Sequence, residues 1–250
     1  MSETVAAIHA EFTKLRCVRS TFVALLLFVP ISVLIAVLGG WSARSAIESD
    51  NPGLRADFTP QQAGLDGILY GQLALIVFGV LIVTSEYGSG MMRVSLLAVP
   101  RRGRLYAAKM AVTAAAAAFV AIPVTVVSYL VTQLALGSHG VSISASGVPR
   151  ALVGAVVYLT LMSLFAASTA AMARSAIVPL AVLLPMVLAG TQILSVIGAT
   201  KEVARYFPDR VGMEMLTVNS PDAYTGFAVL VVWTVAALVC GYLRHRRWDA

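Results

Sequence analysis

The sequence is poor in charged residues, which make up 12% of its 250 positions, whereas hydrophobic residues make up 59%. A soluble domain of this length needs far more polar surface to cover itself, so this composition excludes an ordinary soluble fold. Cysteine is also scarce, with only Cys17 and Cys240 present. If the N-terminus lies in the cytoplasm, both cysteines lie near the cytoplasmic side of the membrane, where a disulfide is not expected.

The sequence also lacks the motifs of several enzyme classes. It contains no G-x-x-x-x-G-K-[ST] phosphate-binding loop, no H-E-x-x-H zinc motif and no G-x-S-x-G nucleophile elbow. The only histidines, His9, His139 and His245, lie outside the long apolar runs. An intramembrane protease built on a Ser–His pair or on a metal therefore lacks necessary parts. We expect no catalysis by this chain alone, and no metal or cofactor bound to it.

The sequence does contain six long apolar runs. Each is near or above the roughly 18–20 residues that cross a bilayer as a helix, and they cover residues 20–41, 67–84, 106–136, 150–173, 176–199 and 224–243. The runs are continuous rather than alternating, which predicts helices and not barrel strands. The predicted fold is therefore an all-α polytopic membrane protein with six transmembrane helices, in which residues 20–250 form one domain.

The distribution of positive charge predicts the orientation in the membrane. With the N-terminus in the cytoplasm, 12 of the 18 Lys and Arg residues lie in cytoplasmic segments. This asymmetry favours an orientation with both termini in the cytoplasm. The net charge of +6 then has a partner in the anionic lipid headgroups of the inner leaflet. Because the cations lie at the ends of the apolar runs rather than on one face, binding to nucleic acid is not expected.

Residues 1–19 are predicted to form an amphipathic helix in the inner interface of the membrane. Four apolar residues recur at spacings of three and four and so share one helical face: Val5, Ile8, Phe12 and Leu15. Charged residues, among them Glu11 and Lys14, occupy much of the remaining surface, which is typical of an interfacial helix. A cleavable signal peptide is the alternative, but the apolar run that follows is longer than a typical signal core.

No apolar run has an ionisable residue near its middle. Such residues are the default sign of ion relays or proton coupling. If the chain transports a molecule, the runs therefore favour an amphiphilic or lipophilic one, such as a lipid, an antibiotic or another drug-like metabolite. The polar residues that could line a pathway or join helices are Gln72, Gln133, Ser163 and Gln192. Residues 200–223 mix apolar and charged residues at short helical intervals. A pair of short helices broken at Pro208 and a plain solvated loop both fit this pattern.

One connector, residues 85–104, gathers an acid, glycines, methionines and arginines between the second and third apolar runs. The acid can meet a basic partner at the membrane surface, the glycines permit a change of chain direction, and the methionines suit a surface that repacks against a partner. Spacings of four and three place Met92, Leu96 and Val99 on one face of a short helix that ends at Pro100. We therefore expect this connector to bind another molecule.

The same connector resembles the signature of ABC-2 type permeases. The stretch that carries the resemblance is Glu86-Tyr87-Gly88-Ser89-Gly90-Met91-Met92-Arg93, with Pro100-Arg101-Arg102 and Lys109 after it. Residues 11–16 and 206–208 also resemble segments of actinobacterial members, and the similarity in layout spans essentially the whole chain. One departure is that Ser89-Gly90-Met91 stands where Gly-Thr is common after the acid.

The resemblance implies the membrane subunit of an ABC exporter in a bacterial cell membrane, with an N-terminal elbow helix and a short cytoplasmic coupling helix after the second span. A separate cytoplasmic ATPase subunit, which would carry ATP and Mg²⁺, would dock beneath the coupling helix. Two permease copies, identical or different, would form the pathway. The residues implied in coupling are Glu86, Tyr87, Gly88, Gly90, Met91, Met92, Arg93, Pro100 and Arg101.

Two other functions stay open from the residues. A non-transporting membrane scaffold or immunity subunit would also present an organised cytoplasmic connector. An ion-coupled secondary transporter is the other alternative function, and the lack of ionisable residues in the middle of the apolar runs counts against it.

Overall fold

A computed structural model of the chain describes residues 3–49, 58–89, 91, 102–198 and 200–246, and within these ranges the chain is helical without any strand. The helices are α1 (Glu3–Cys17), α2 (Arg19–Glu48), α3 (Pro60–Asp66), α4 (Ile68–Ser89), α5 (Arg102–Leu136), α6 (Val148–Ala173), α7 (Ile177–Pro185), α8 (Thr191–Val196), α9 (Lys201–Ala204), α10 (Pro208–Leu216) and α11 (Ala223–Arg246). A 3-10 turn follows α5 at Gly137–His139, and a π-helical turn at Met186–Gly190 joins α7 to α8.

Within the described residues, six helical segments are long and apolar enough to cross a bilayer. They are α2, α3 with α4, α5, α6, the α7–α8 pair, and α11, and each overlaps one of the six predicted runs. The prediction of an all-α polytopic membrane protein is therefore confirmed. The predicted coupling helix at residues 92–99 lies outside the described residues.

The connector between the first two apolar runs, residues 42–66, is polar and carries Pro52 and Pro60, which predicts an irregular loop, but its described parts are largely helical. Helix α2 continues beyond the apolar run to Glu48. Helix α3 begins after Thr59, whose hydroxyl accepts a hydrogen bond from the backbone N–H of Gln62, and Pro60 occupies the first helical position. A threonine cap followed by proline is a helix start signal that is independent of hydrophobicity.

The fifth span is irregular in its centre. Helix α7 ends at Pro185, and the π-helical turn Met186–Gly190 follows directly. Proline lacks a backbone N–H and its ring crowds the preceding turn, so Pro185 removes one bond of the regular helical ladder directly before the π-helical turn.

Helices α4 and α6 form the centre of the bundle. The second and fourth spans are the most buried, at 72% and 61% of residues, whereas only 17% of the fifth span is buried. The two central helices approach closely at Gly79, where an added Cβ would lie 2.4 Å from the backbone oxygen of Ser163. The facing residues on α6 include Ser163 and Ala166, both fully buried, so small side chains set this helix spacing.

One end of the bundle gathers α1, the end of α4, the start of α5 and the end of α11, and we call it the basal end. Three side chains there donate hydrogen bonds to backbone carbonyls of the last turns of α11. Arg102 donates to Arg246, Arg174 to Arg244, and Tyr106 to Leu238, at 3.0, 3.0 and 3.1 Å. The carbonyls of Arg244 and Arg246 are in the last turn, where a helix offers them no partner, and all three bonds tie α11 to α5 and to the end of α6.

Candidate functional site

Four charged side chains meet at the basal end and form what we call the basal cluster: Glu11, Lys14, Glu86 and Lys109. The Nζ atom of Lys14 lies 2.6 Å from Oε1 of Glu11 and 2.8 Å from Oε1 of Glu86. The Nζ atom of Lys109 lies 2.5 Å from Oε2 of Glu11 and 2.9 Å from Oε1 of Glu86. Each acid therefore contacts both bases, and the cluster is electrically neutral.

Three of the four side chains are almost completely buried away from solvent. Glu11, Glu86 and Lys109 expose only 2%, 3% and 4% of their side-chain surface, and Lys14 exposes 22%. Removing ions from water is costly, and mutual attraction offsets that cost only when the geometry is good and the charges are paired. A neutral square of alternating charges meets this condition. Loss of any one member would leave a buried charge without compensation.

The cluster joins three helices that are far apart in sequence. Glu11 and Lys14 share the buried face of α1, where Ala7 and Leu15 are also buried. Glu86 lies in the last turns of α4, and Lys109 lies in the second turn of α5. These two helices flank the connector, so Glu86 and Lys109 couple both of its ends to α1.

The pKa of Lys14 is consistent with a charged ammonium in the basal cluster. Burial lowers the pKa of Lys14, but hydrogen bonds to Glu11 and Glu86 outweigh burial and hold the pKa above its ordinary value. The ammonium therefore stays charged throughout the physiological pH range.

A small cavity of about 10 Å³ lies against the cluster. Its lining includes Glu11, Glu86 and Lys109 together with Ser85 and Met91. This volume holds one water molecule at most. Met91 thereby places the start of the connector next to the buried charges.

The structure locates only part of the predicted coupling set. Glu86 is in the cluster, Tyr87 is partly buried against the core, and Met91 lines the small cavity. Gly88 lies inside α4, which ends at Ser89, so the chain does not turn at this glycine. The other predicted coupling residues, Gly90, Met92, Arg93, Pro100 and Arg101, lie outside the described residues.

The predicted polar residues of the spans occupy different surroundings. Gln72 accepts a hydrogen bond from the buried Tyr158 hydroxyl at 2.5 Å, which joins α4 to α6. Gln133 donates to the carbonyl of Pro60 at 2.8 Å. Ser163 donates to the carbonyl of Leu159 in its own helix, and Gln192 is exposed. Gln72 and Gln133 therefore join helices through side-chain hydrogen bonds.

Sequence reasoning missed two buried acids. Glu11 was placed on the polar side of α1, but it is buried because α1 packs against α5 through the face that carries it, while Ile8 and Phe12 are exposed. Asp209, at the start of α10, accepts a hydrogen bond from the Thr191 hydroxyl at 2.5 Å. Burial raises the pKa of Asp209 above its ordinary value, although the Thr191 bond opposes this. The spacing of four between Ala7, Glu11 and Leu15 is the signal that could have found the first.

The six apolar spans define a polytopic membrane protein, and its basal end carries a cluster of buried charges. Residues 7–190 match the family model described as ABC-2 family transporter protein. This match includes all four residues of the basal cluster and covers well over half of the chain, so the chain belongs to the ABC-2 transporter family. It is thus a membrane permease subunit of an ABC transporter, a class that associates with an ATPase subunit. A comparison with curated proteins finds no match.

Proposed function

We propose that this permease subunit exports an amphiphilic or lipophilic small molecule, and that the basal cluster transmits movement of the ATPase subunit to the spans. The ATPase would dock on the connector at residues 85–104 and supply the energy of ATP hydrolysis. The bias of Lys and Arg toward the basal segments supports a cytoplasmic basal end in a bacterial cell membrane.

The observation that carries the proposal is the pair of contacts that Glu86 makes with Lys14 and Lys109. A connector pushed from below could simply bend, and the push would then be absorbed locally. Here the last turns of α4, the first turns of α5 and the interfacial helix α1 are joined by buried ion pairs. A push on the connector would therefore move the three helices together, because buried charges cannot separate without a large energetic cost.

The nature of the cargo is inferred from the spans. No ionisable residue lies near the middle of any apolar run, so the membrane-embedded surface offers no partner for a strongly charged molecule. An apolar or amphiphilic molecule needs only apolar walls and a few hydrogen-bonding groups. This favours export of a lipid, an antibiotic or a similar metabolite.

A second copy of the permease, identical or related, would complete the pathway. The fifth span supports this part of the proposal, since only 17% of it is buried within one chain. Its exposed apolar residues include Ile177, Val182 and Ile193. Packing of this face against another subunit would bury the π-helical turn Met186–Gly190, where the backbone hydrogen bonding is irregular.

The proposal is tested by ATP hydrolysis in the purified complex of permease and ATPase subunit. We expect the intact permease to stimulate hydrolysis, and Glu86→Ala combined with Arg93→Ala to abolish the stimulation. Arg93→Ala alone, which leaves the buried cluster intact, is expected to weaken it. Arg205→Ala removes an exposed arginine between α9 and α10 at the opposite end of the bundle and serves as the matched control.

Two outcomes would overturn the coupling role. Hydrolysis that is the same with the double variant and with the intact permease would show that the connector transmits nothing. Hydrolysis that never depends on the permease would instead favour a membrane scaffold or immunity subunit. Binding of the ATPase subunit, measured by co-purification, separates a lost contact from a lost transmission.

A further inference from the structure

An apolar groove lies between the interfacial helix α1 and the spans α2 and α5. Its volume is about 660 Å³, within the range of about 300–1,000 Å³ typical of small-molecule sites. Aromatic residues form its walls, namely Phe12 from α1, Phe22 from α2 and Phe119 from α5. All three are exposed, at 50%, 41% and 79%, so the groove is open to the surroundings of the bundle.

The floor of the groove is made of small residues. Ala111, Ala115 and Ala116 of α5 line it, and the lining on this helix runs from Ala111 to Val120. At a rise of about 1.5 Å per residue this stretch spans about 14 Å. The hydrocarbon core of one leaflet is about 15 Å deep, half of the total thickness of about 30 Å. The groove therefore extends over the depth of one leaflet, starting two residues above Lys109 of the basal cluster.

The basal rim of the groove is positively charged. Arg16 lines it and is exposed, and the described part of the chain offers its guanidinium neither an ion pair nor a hydrogen bond. His9 also lines the groove, and no acidic side chain does so among the described residues. A site with a cationic rim and an apolar interior is complementary to an anionic headgroup followed by an acyl chain.

We propose that this groove is a binding site for one resident anionic phospholipid of the leaflet at the basal end. Its acyl chain occupies the space over the alanine floor, and its phosphate pairs with Arg16. The lipid packs against α1 on the face opposite the basal cluster, so it stabilises the position of the helix that Glu11 and Lys14 fix from the other side. This site is separate from the connector and from any cargo pathway.

The test is native mass spectrometry of the full chain in mild detergent with equimolar dioleoylphosphatidylglycerol and dioleoylphosphatidylcholine. We expect the first bound lipid to be phosphatidylglycerol with a preference of about fivefold, the equivalent of ~1 kcal/mol for one cation near a phosphate. Arg16→Gln is expected to abolish the preference. Ala115→Trp, which fills the floor at an exposed position, is expected to remove the bound lipid altogether.

Matched controls are available on α11. Arg244→Gln removes another exposed basal arginine, and Ala236→Trp enlarges another exposed alanine, so both are expected to retain the preference. Equal retention of the two lipids by the unmodified protein would overturn the proposal, as would a preference that survives both groove variants. A shift from dimer to monomer with Ala115→Trp would assign the groove to a second copy instead. Release of the lipid only during ATP hydrolysis by the complex would make it cargo.

Discussion

Replacing Lys109 with methionine is expected to lower the free energy of unfolding by about 3–5 kcal/mol, the largest effect of a single substitution in this account. Methionine matches the length of the lysine stem but leaves Glu11 and Glu86 with only Lys14 between them. Both carboxylates are buried, so neither can recover its hydration. Unfolding in mixed micelles with increasing denaturing detergent measures the change.

A double substitution separates the ion pair from simple packing. Glu86→Gln removes the excess negative charge that Lys109→Met creates, and Glu11 and Lys14 then remain as a pair at 2.6 Å. The two changes together are therefore expected to cost less than the sum of the single costs, by about 1–3 kcal/mol. Strict additivity would show that the two side chains do not interact.

The exposed pair between Arg44 and Glu48 provides the control. Its Nε–Oε1 distance is 2.7 Å, similar to those in the basal cluster, but the side chains are 46% and 52% exposed. Arg44→Met is therefore expected to cost only about 0–1 kcal/mol. An equal cost for Arg44→Met and Lys109→Met would contradict the claim that burial makes the cluster important.

Replacing Gly79 with alanine is expected to destabilise the protein by about 1–3 kcal/mol. The new Cβ would lie 2.4 Å from the backbone oxygen of Ser163 and 3.3 Å from the Cβ of Ala166. Neither atom is the end of a flexible side chain, so α4 and α6 must move apart. The midpoint of thermal unfolding in detergent, followed by size-exclusion chromatography, measures the loss.

Gly39→Ala is the matched control for this substitution. Gly39 is also in the interior of an apolar helix, but an added Cβ would meet no atom within 4 Å from the described residues beyond its own helix backbone. Alanine restricts the unfolded chain more than glycine does, so this variant is expected to be unchanged or more stable, by up to about 1 kcal/mol. Destabilisation of both variants to the same extent would remove the steric explanation.

The membrane-spanning architecture could be predicted from sequence because it depends on runs of consecutive residues and not on contacts between distant parts of the chain. A bilayer demands about 20 consecutive apolar residues per helix, and the six runs meet that demand without reference to tertiary contacts. The start of α3 could also be predicted from sequence, since Thr59 followed by Pro60 is a helix start signal. The helical parts of the first connector were missed because they are polar, and hydropathy alone carries no signal for them.

The basal cluster could be predicted only in part. Glu86 was singled out because it closes an apolar run beside glycines, but its partners come from α1 and α5. From the sequence alone, the positive-inside rule accounts for Lys14 and Lys109 as ordinary cations at the membrane surface. Their pairing depends on how α1 packs against α5, and the apolar face of α1 suggested the opposite orientation for Glu11. Buried ion pairs are tertiary features, and sequence spacing within one helix does not reveal them.

The central claim, that α1, α4 and α5 move as one unit, is tested most directly by a distance measurement between α1 and α5. Spin labels on Cys17, which is native and exposed, and on Phe119→Cys would report that distance in the complex with the ATPase subunit, with Cys240 replaced by serine. The account predicts one distance distribution that is the same without nucleotide and in the ATP-trapped state, and that broadens with Lys109→Met, which removes the direct ion pair between α1 and α5. A distance that changes with ATP while the cluster is intact would contradict it.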